Sequence, residues 1–552
     1  MSPTVANSPN NYSKTENRSF NWNIENTITY SKKFDAHDLT VLLGQGAYVE
    51  NDGGSASVTF RGLPITDYRQ ASFNFDIPND NRTTSASDFV NHKISSLFGR
   101  VNYSYLDKYI FTGIVRRDGS TRFGPNMKYR VFPSFSLGWN IDKESFWHSN
   151  VISSFKLRGG YGETGNDASD DYRYLSIIKG GYNYAIGKDG NVTTGYAPLT
   201  LDNPDLHWEK TASTDVGVDL ILLKKISLTA NYYNKRTIGI LRPVLIPGYV
   251  GVSDAPWDNV ADMKNSGFEL EAGYNTNFGD LTFGVNGNVS YNKNVVEKVA
   301  LDTNFIGGGA SFQSMGTITR IQVGQAFNSF WGYKMLGIFQ NDAEIQAYKG
   351  ADGTLIQPNA KPGDIKWADI NQDGKITDGE DDKTFLGSSL PKYTFGFTIS
   401  LGYKNFDFSV FSQGAAGSKI FQGLRRLDMI TANYTTRVLD RWHGEGTSTT
   451  YPRVNTNSND NSNGNFSRMS DLYLESGNYL RVKVMQLGYT LPSGIYNKIG
   501  LSRVRAFVTA ENLFTITKYT GYDPEVGGDV FGVDRGQYPQ ARTIMGGLQI
   551  QF

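Results

Sequence analysis

The chain of 552 residues balances 54 Lys and Arg against 54 Asp and Glu, and this zero net charge argues against nucleic acid as a partner. It has no cysteine, which rules out disulfides and thiolate metal sites. No run approaches the roughly twenty apolar residues that a membrane helix needs, so any membrane crossing falls to strands. Aromatic residues make up 13%, Tyr alone numbers 32 and Gly 60; that profile suits many strands with aromatic girdles and small inner residues. Met1 leads straight into the polar run SPTVANSPNNYSKTEN with no signal peptide ahead of it, so the chain reads as lacking an N-terminal portion.

Strand-like stretches then recur in pairs. Residues 20–31 and 38–49 are joined by KKFDAH, and 93–105 and 108–116 by Leu106-Asp107. Stretches 129–141 and 154–161 follow, then a long polar loop. Stretches 207–222 and 226–236 turn at Lys224-Lys225, 264–274 and 281–292 at NFGD, and 319–323 and 327–339 at Gly324-Gln325. Stretches 393–402 and 405–413 turn at Tyr403-Lys404; 479–489, 504–513 and the final strand complete the series. In the clearest of them, KYTFGFTISLGY, Tyr393, Phe395, Phe397, Ile399, Leu401 and Tyr403 share one face, and Thr394, Gly396, Thr398, Ser400 and Gly402 the other. The last strand alternates likewise, with Ile544, Gly546, Leu548, Ile550 and Phe552 in one row.

The count is roughly seventeen strands, many near the ten residues of a tilted membrane strand. Short turns alternate with long loops, the asymmetry of an outer-membrane barrel, whose apolar rows face lipid and whose small polar rows face the lumen. The expected fold is therefore an all-β, transmembrane antiparallel β-barrel of the outer membrane with long extracellular loops. An odd strand number is at variance with the even numbers of bacterial single-chain barrels, so further strands are expected upstream.

Several blocks resemble one family, the SusC/RagA-like TonB-dependent outer-membrane transporters. They are PSFSLGWNIDKESFW from Pro133, KLRGGYGETGN from Lys156, NPDLHWEKTASTDVGVDL from Asn203 and NVADMKNSGFELEAGYN from Asn259. GDIKWADINQDGKITDGEDDKTFLGSSLPKYTFGF from Gly363, NYLRVKVMQLGYTLP from Asn478 and AENLFTITKYTGYDPEV from Ala510 complete the set. The resemblance implies a barrel of about 22 strands around an N-terminal plug, of which residues 1–552 would be the C-terminal part, with plug and first strands missing. It also implies import of oligosaccharides or peptides across a Bacteroidetes-like outer membrane, driven through TonB–ExbB–ExbD and capped by a SusD-like surface lipoprotein. Such a protein catalyses no covalent chemistry. A passive pore without a plug and a soluble carbohydrate-binding or hydrolytic β-protein are the alternatives from other classes.

The sharpest local motif is DINQDGKITDGE, residues 369–380, inside a loop spanning about 364–385. It matches D-x-[DN]-x-[DN]-G-x5-E. Asp369, Asn371, Asp373 and Glu380 would offer side-chain oxygens to calcium, Lys375 its carbonyl and Thr377 a direct or water-mediated contact. The plain alternative is a solvated Asp/Asn/Gly turn. GYGETG, residues 160–165, matches G-x-G-x-x-G but opens into NDASDDYRY with no helix to hold a pyrophosphate, so it reads as a strand leaving for a loop. The histidines His37, His92, His148, His207 and His443 are scattered, no nucleophile elbow or H-E-x-x-H appears, and Glu269/Glu271 read as lumen-facing. Trp257, Tyr434, Trp442 and Tyr451 lie in loops, where they could stack on substrate, pack on a partner or anchor their own loops. Trp147 and Trp208, near strand ends, read as interface-belt residues.

Overall fold

A computed structural model of the chain describes residues 9–186, 191–244, 248–252, 254–299, 304–426, 432–454, 463–496, 500–525 and 531–552. Among these residues the largest sheet holds sixteen strands. Fifteen carry forward from the sequence: β1 (Asn11–Phe34), β2 (His37–Arg61), β3 (His92–Tyr105), β4 (Tyr109–Ser120), β5 (Tyr129–Asn140), β6 (Ile152–Asn166), β7 (Glu209–Leu222), β8 (Ile226–Pro243), β9 (Trp257–Phe278), β10 (Leu281–Val299), β11 (Tyr393–Tyr403), β12 (Phe406–Ala416), β13 (Tyr479–Thr490), β14 (Arg503–Thr517) and β15 (Thr543–Gln551). The sixteenth, Arg82–Asp88, lies along β2.

Turn chemistry sets the register. Between β9 and β10 the turn is Gly279-Asp280, with Gly279 at φ 60°; between β11 and β12 it is Lys404-Asn405, with Lys404 at φ 53°. Left-handed residues at such tight turns match the right-handed twist of the paired strands. NFGD thus contributes only its last two residues to the turn, and KKFDAH only Asp35-Ala36, because strand pairing runs up to Phe34↔His37 and Phe278↔Leu281.

The chain divides into two compact units. In the first, β1, β2, β3 and β4 pair antiparallel in chain order. β1 and β2 run 24 and 25 residues, far beyond the roughly ten that a tilted strand needs to cross a bilayer. Their far ends, with Arg82–Asp88, form a polar three-stranded ribbon in which Ser13 bonds Thr59 and Ser57 bonds Ser85, both at 2.8 Å. In the second unit β9 through β15 pair antiparallel in chain order, interrupted by long excursions after β10, β12 and β14.

Apolar rows of many of the long strands are exposed rather than covered. Ile28 of β1 is 77% exposed and Leu548 of β15 71%. Most of the fully buried large hydrophobics sit in the loops instead. Phe312, Phe330, Phe421 and Val533 form one cluster, and Tyr333, Ile365, Trp367 and Tyr451 another. Apolar rows turned outward over many strands are the pattern of a lipid-facing sheet. The pair expected at 319–323 and 327–339 does form a hairpin, but in a separate four-stranded sheet with Phe305–Gly307 and Lys383–Gly387. Its apolar residues Ile321, Phe330 and Tyr333 are buried in three separate protein clusters, so sequence periodicity alone assigned it to the membrane set.

Candidate functional site

The densest chemistry lies in the loops of the second unit. Trp367 is wholly buried; its indole N–H donates to the Asn463 carbonyl at 2.9 Å and its backbone N–H to Gln357 at 2.8 Å. Beside it, buried Asp364 accepts from Arg453 Nε at 2.6 Å and from Asn465 at 2.8 Å, so the buried carboxylate is paired and hydrogen-bonded. Tyr333 packs against the same tryptophan, and burial pushes its phenol up to about 12. These contacts hold the loop segments 333–376, 442–454 and 463–473 as a packed body.

The acidic loop hangs from this body. Asp369 Oδ2 accepts from the Gly374 N–H at 2.9 Å, Asn371 Oδ1 from Asp373 N–H at 3.1 Å, and Asp373 Oδ1 from Lys375 N–H at 3.1 Å. Gln372 and Gly374, at φ 61° and 84°, make the tight curl. Each acidic position therefore spends one oxygen inside the loop, and Asp369 Oδ1 is buried without a partner. Lys375 points its ammonium toward Asp373 at 3.9 Å. Thr377 donates its N–H to Asp382 Oδ2 at 2.8 Å and offers its carbonyl to Tyr333.

Glu380 turns away from the others. It pairs with Arg320 and accepts from Trp331 Nε1 at 2.8 Å and Lys383 Nζ at 2.7 Å. Burial pushes its carboxyl up, but Lys383, Trp331 and Arg320 outweigh that and hold it below the ordinary range. The carboxylate the motif overlooked is Asp382, fully buried, with its oxygens on the Thr377 and Ile370 N–H groups. Its only signal in the sequence was the acidic run ITDGEDD. No three Asp, Glu or His side chains among the described residues converge closely enough to cage a metal alone, so a cation here would also need Asn, Thr and main-chain oxygens.

The four loop aromatics are packing residues. Tyr451 is 9% exposed in the Trp367 cluster, and Trp442 packs on that cluster over Gly363. Tyr434 lies under the Arg425 guanidinium at 3.8 Å and beside Phe466. Trp257, in the first unit, packs with Phe123, Phe132, Leu206 and Trp208. Tyr451, Trp442 and Tyr434 thus pack within their loops, and Trp257 packs at the start of β9. Trp208 corrects an expectation: it is 5% exposed and donates to the Lys128 carbonyl at 3.0 Å, a core residue rather than a belt residue.

Polar side chains of the second unit form linked ion pairs. Arg481 bonds Asp523 at 2.6 Å and Glu525 at 2.5 Å, tying the segment after β14 to β13, and Lys483 reaches Glu525 at 3.2 Å. Asp523 is pushed up by burial, yet Arg481 and the N–H groups of Gln540 and Glu525 hold it below the ordinary carboxylate range. GYGETG lies wholly within β6 with no helix after it, and Glu269 and Glu271 project opposite Leu270 on β9.

The family model for "TonB dependent receptor-like, beta-barrel" matches residues 2–513. TonB-dependent receptor P3 of Formosa agariphila is 33% identical over 546 residues, covering 96% of this chain and 52% of the relative. TonB-dependent receptor SusC of Bacteroides thetaiotaomicron is 28% identical over 543 residues, covering 95% and 49%. The chain thus spans about half the length of the curated relatives it matches. The solved RagAB peptide transporter superposes with a TM-score of 0.79 at 22% identity, covering 98% of this chain and 56% of that one, a likeness of fold.

Proposed function

The chain belongs to the TonB-dependent receptor β-barrels of the outer membrane, and on that premise we propose that it forms the barrel of a TonB-driven importer of oligosaccharides or peptides. The observation that carries this reading is the family match across 2–513, supported by a fold like that of a peptide transporter. In this role the protein performs no covalent step. Lumen-side and loop groups select the cargo, a SusD-like surface lipoprotein docks on the loops, and TonB–ExbB–ExbD supplies the energy.

The experiment is uptake of labelled oligosaccharides and labelled peptides by the native cell with and without the gene, with and without a protonophore. Loss of uptake of one class on deletion, together with protonophore sensitivity, is the expected result. Uptake that depends on the gene but ignores the protonophore would favour the passive pore, and unchanged uptake of both classes would sink the importer. Recovery of a surface lipoprotein with the detergent-extracted protein tests the partner.

The acidic loop supports a second, structural reading: calcium bound by Asp369, Asn371, Asp373, the Lys375 carbonyl and Thr377. The buried, unpartnered Asp369 Oδ1 supports it. Glu380, committed to Arg320, would enter only by leaving that pair. Calcium, but not magnesium, should protect residues 364–385 from protease, and Asp369→Asn should abolish the protection. A loop equally resistant with calcium or chelator would leave an ordinary Asp/Asn/Gly turn.

A further inference from the structure

In the first unit three separate segments meet at one buried imidazole. His92 opens β3 at its loop end, ahead of the outward-facing Leu97 and Val101, and is 2% exposed. Its Nδ1 lies 3.2 Å from Asp171 Oδ1 and its Nε2 3.3 Å from Asp167 Oδ2. An ionised carboxylate can only accept, so both contacts are attractive only when both ring nitrogens carry protons. Arg122 adds a second cation, 3.6 Å from Asp167 and 3.5 Å from Asp171. Ser120 donates to Asp167 at 2.7 Å and Thr121 to Asp171 at 3.1 Å. Two cations thus balance two anions. A neutral ring would set a lone pair against a carboxylate and leave the site with surplus negative charge.

The other ionisable groups nearby are occupied or turned elsewhere. Glu50, the register partner of His92 on β2, accepts from Tyr48, and Asp170 pairs with Arg173 at 2.6 Å. Lys93 meets Thr121 through its backbone. What the cluster holds is the start of the excursion 167–206, whose other end is fixed by buried Leu206 against Phe123 and Trp208. Between them, Ile178–Gly180 pairs with Tyr196–Pro198 and Tyr184–Ile186 with Asn191–Thr193, with Ile178, Tyr184, Val192 and Tyr196 all exposed. These short hairpins pair within the excursion itself.

We propose that His92 is a proton-operated latch: as an imidazolium it holds residues 167–186, the start of the excursion, on the end of β3, and as a neutral ring it lets go. Burial and the nearby Arg122 oppose the charge on His92, but its Asp167 and Asp171 partners outweigh them and raise the protonation range above that of a free imidazole. Asp167 is pushed up by burial, yet His92, Ser120 and Arg122 hold it below the ordinary range. A raised histidine contributes its full stabilisation below about pH 6.5 and loses it as pH climbs through the higher folded value. A depressed aspartate contributes above about pH 3.9 and fails only in acid below that. Release therefore comes at higher pH than the titration of a free imidazole.

The test uses the absence of native cysteine. Lys179→Cys, spin-labelled in the full chain in outer-membrane vesicles, reports motion of the excursion from about pH 5.5 to about pH 9.5. The label should be held at low pH and become mobile as pH rises past the range of a free imidazole, each pKa unit of elevation corresponding to about tenfold in the closed-to-open ratio. His92→Arg, a permanent cation, should stay held throughout, and Asp171→Asn should release at lower pH. A label whose mobility ignores pH, or the same transition surviving in His92→Arg, would overturn the latch.

Discussion

Strands β11 and β15 and the loop body around Trp367 belong to the same unit and draw on the same residue types, yet they use them in opposite senses. On β15 the apolar row Ile544, Leu548, Ile550 stands outward and exposed. In the loops Trp367, Ile365 and Phe330 are wholly buried, beside buried polar groups such as Asp364 that are hydrogen-bonded. The difference teaches that hydrophobic alternation reports only that one face meets apolar surroundings. Whether those surroundings are lipid or protein is decided by whether anything packs on that face.

The contrast can be broken most heavily in the loop body. Trp367→Ala removes a fully buried side chain and should cost about 3–5 kcal/mol of local stability, seen as protease cutting in 333–376 while the strands keep their heat-modifiable migration. If the whole protein lost that migration, the loop body would be part of the same cooperative unit as the sheet. Next comes Leu548→Arg on the exposed row: in lipid it should cost about 2–4 kcal/mol in folding assays in vesicles, whereas an exposed position in water would change by only about 0.5. Asp382→Asn should cost about 1–3 kcal/mol, read as faster amide exchange at Ile370 and Thr377, because it weakens two buried hydrogen bonds. The smallest effect should be at the polar ribbon, where Ser57→Ala removes a bond to Ser85 at a wet surface and should shift stability by under about 0.5 kcal/mol.

Much of the sheet was legible because period-2 alternation persists wherever a strand borders lipid. Strand ends were less so: beyond the apolar band, Ser13, Lys14, Thr15 and Glu16 are polar on both faces and carry no period, so β1 runs from Asn11 where the pattern suggested residue 20. The hairpin at Thr319–Gln322 and Ser329–Tyr333 had the right pairing but the wrong surroundings. In the acidic loop the curl at Gly374 was readable from the motif, while the diversion of Glu380 was not, because Arg320 lies sixty positions upstream. The His92 cluster was invisible for the same reason: Asp171 is 79 positions away, and no spacing rule links them.

The central claim is that the apolar rows face lipid. The direct measurement is quenching of a fluorophore on single cysteines at 548 and 549 by lipids brominated in their acyl chains, with the protein in its membrane. The account predicts strong quenching at 548 and little at the neighbouring Gln549, on the opposite face of β15. Equal quenching at both positions, or stronger quenching at 549, would contradict it.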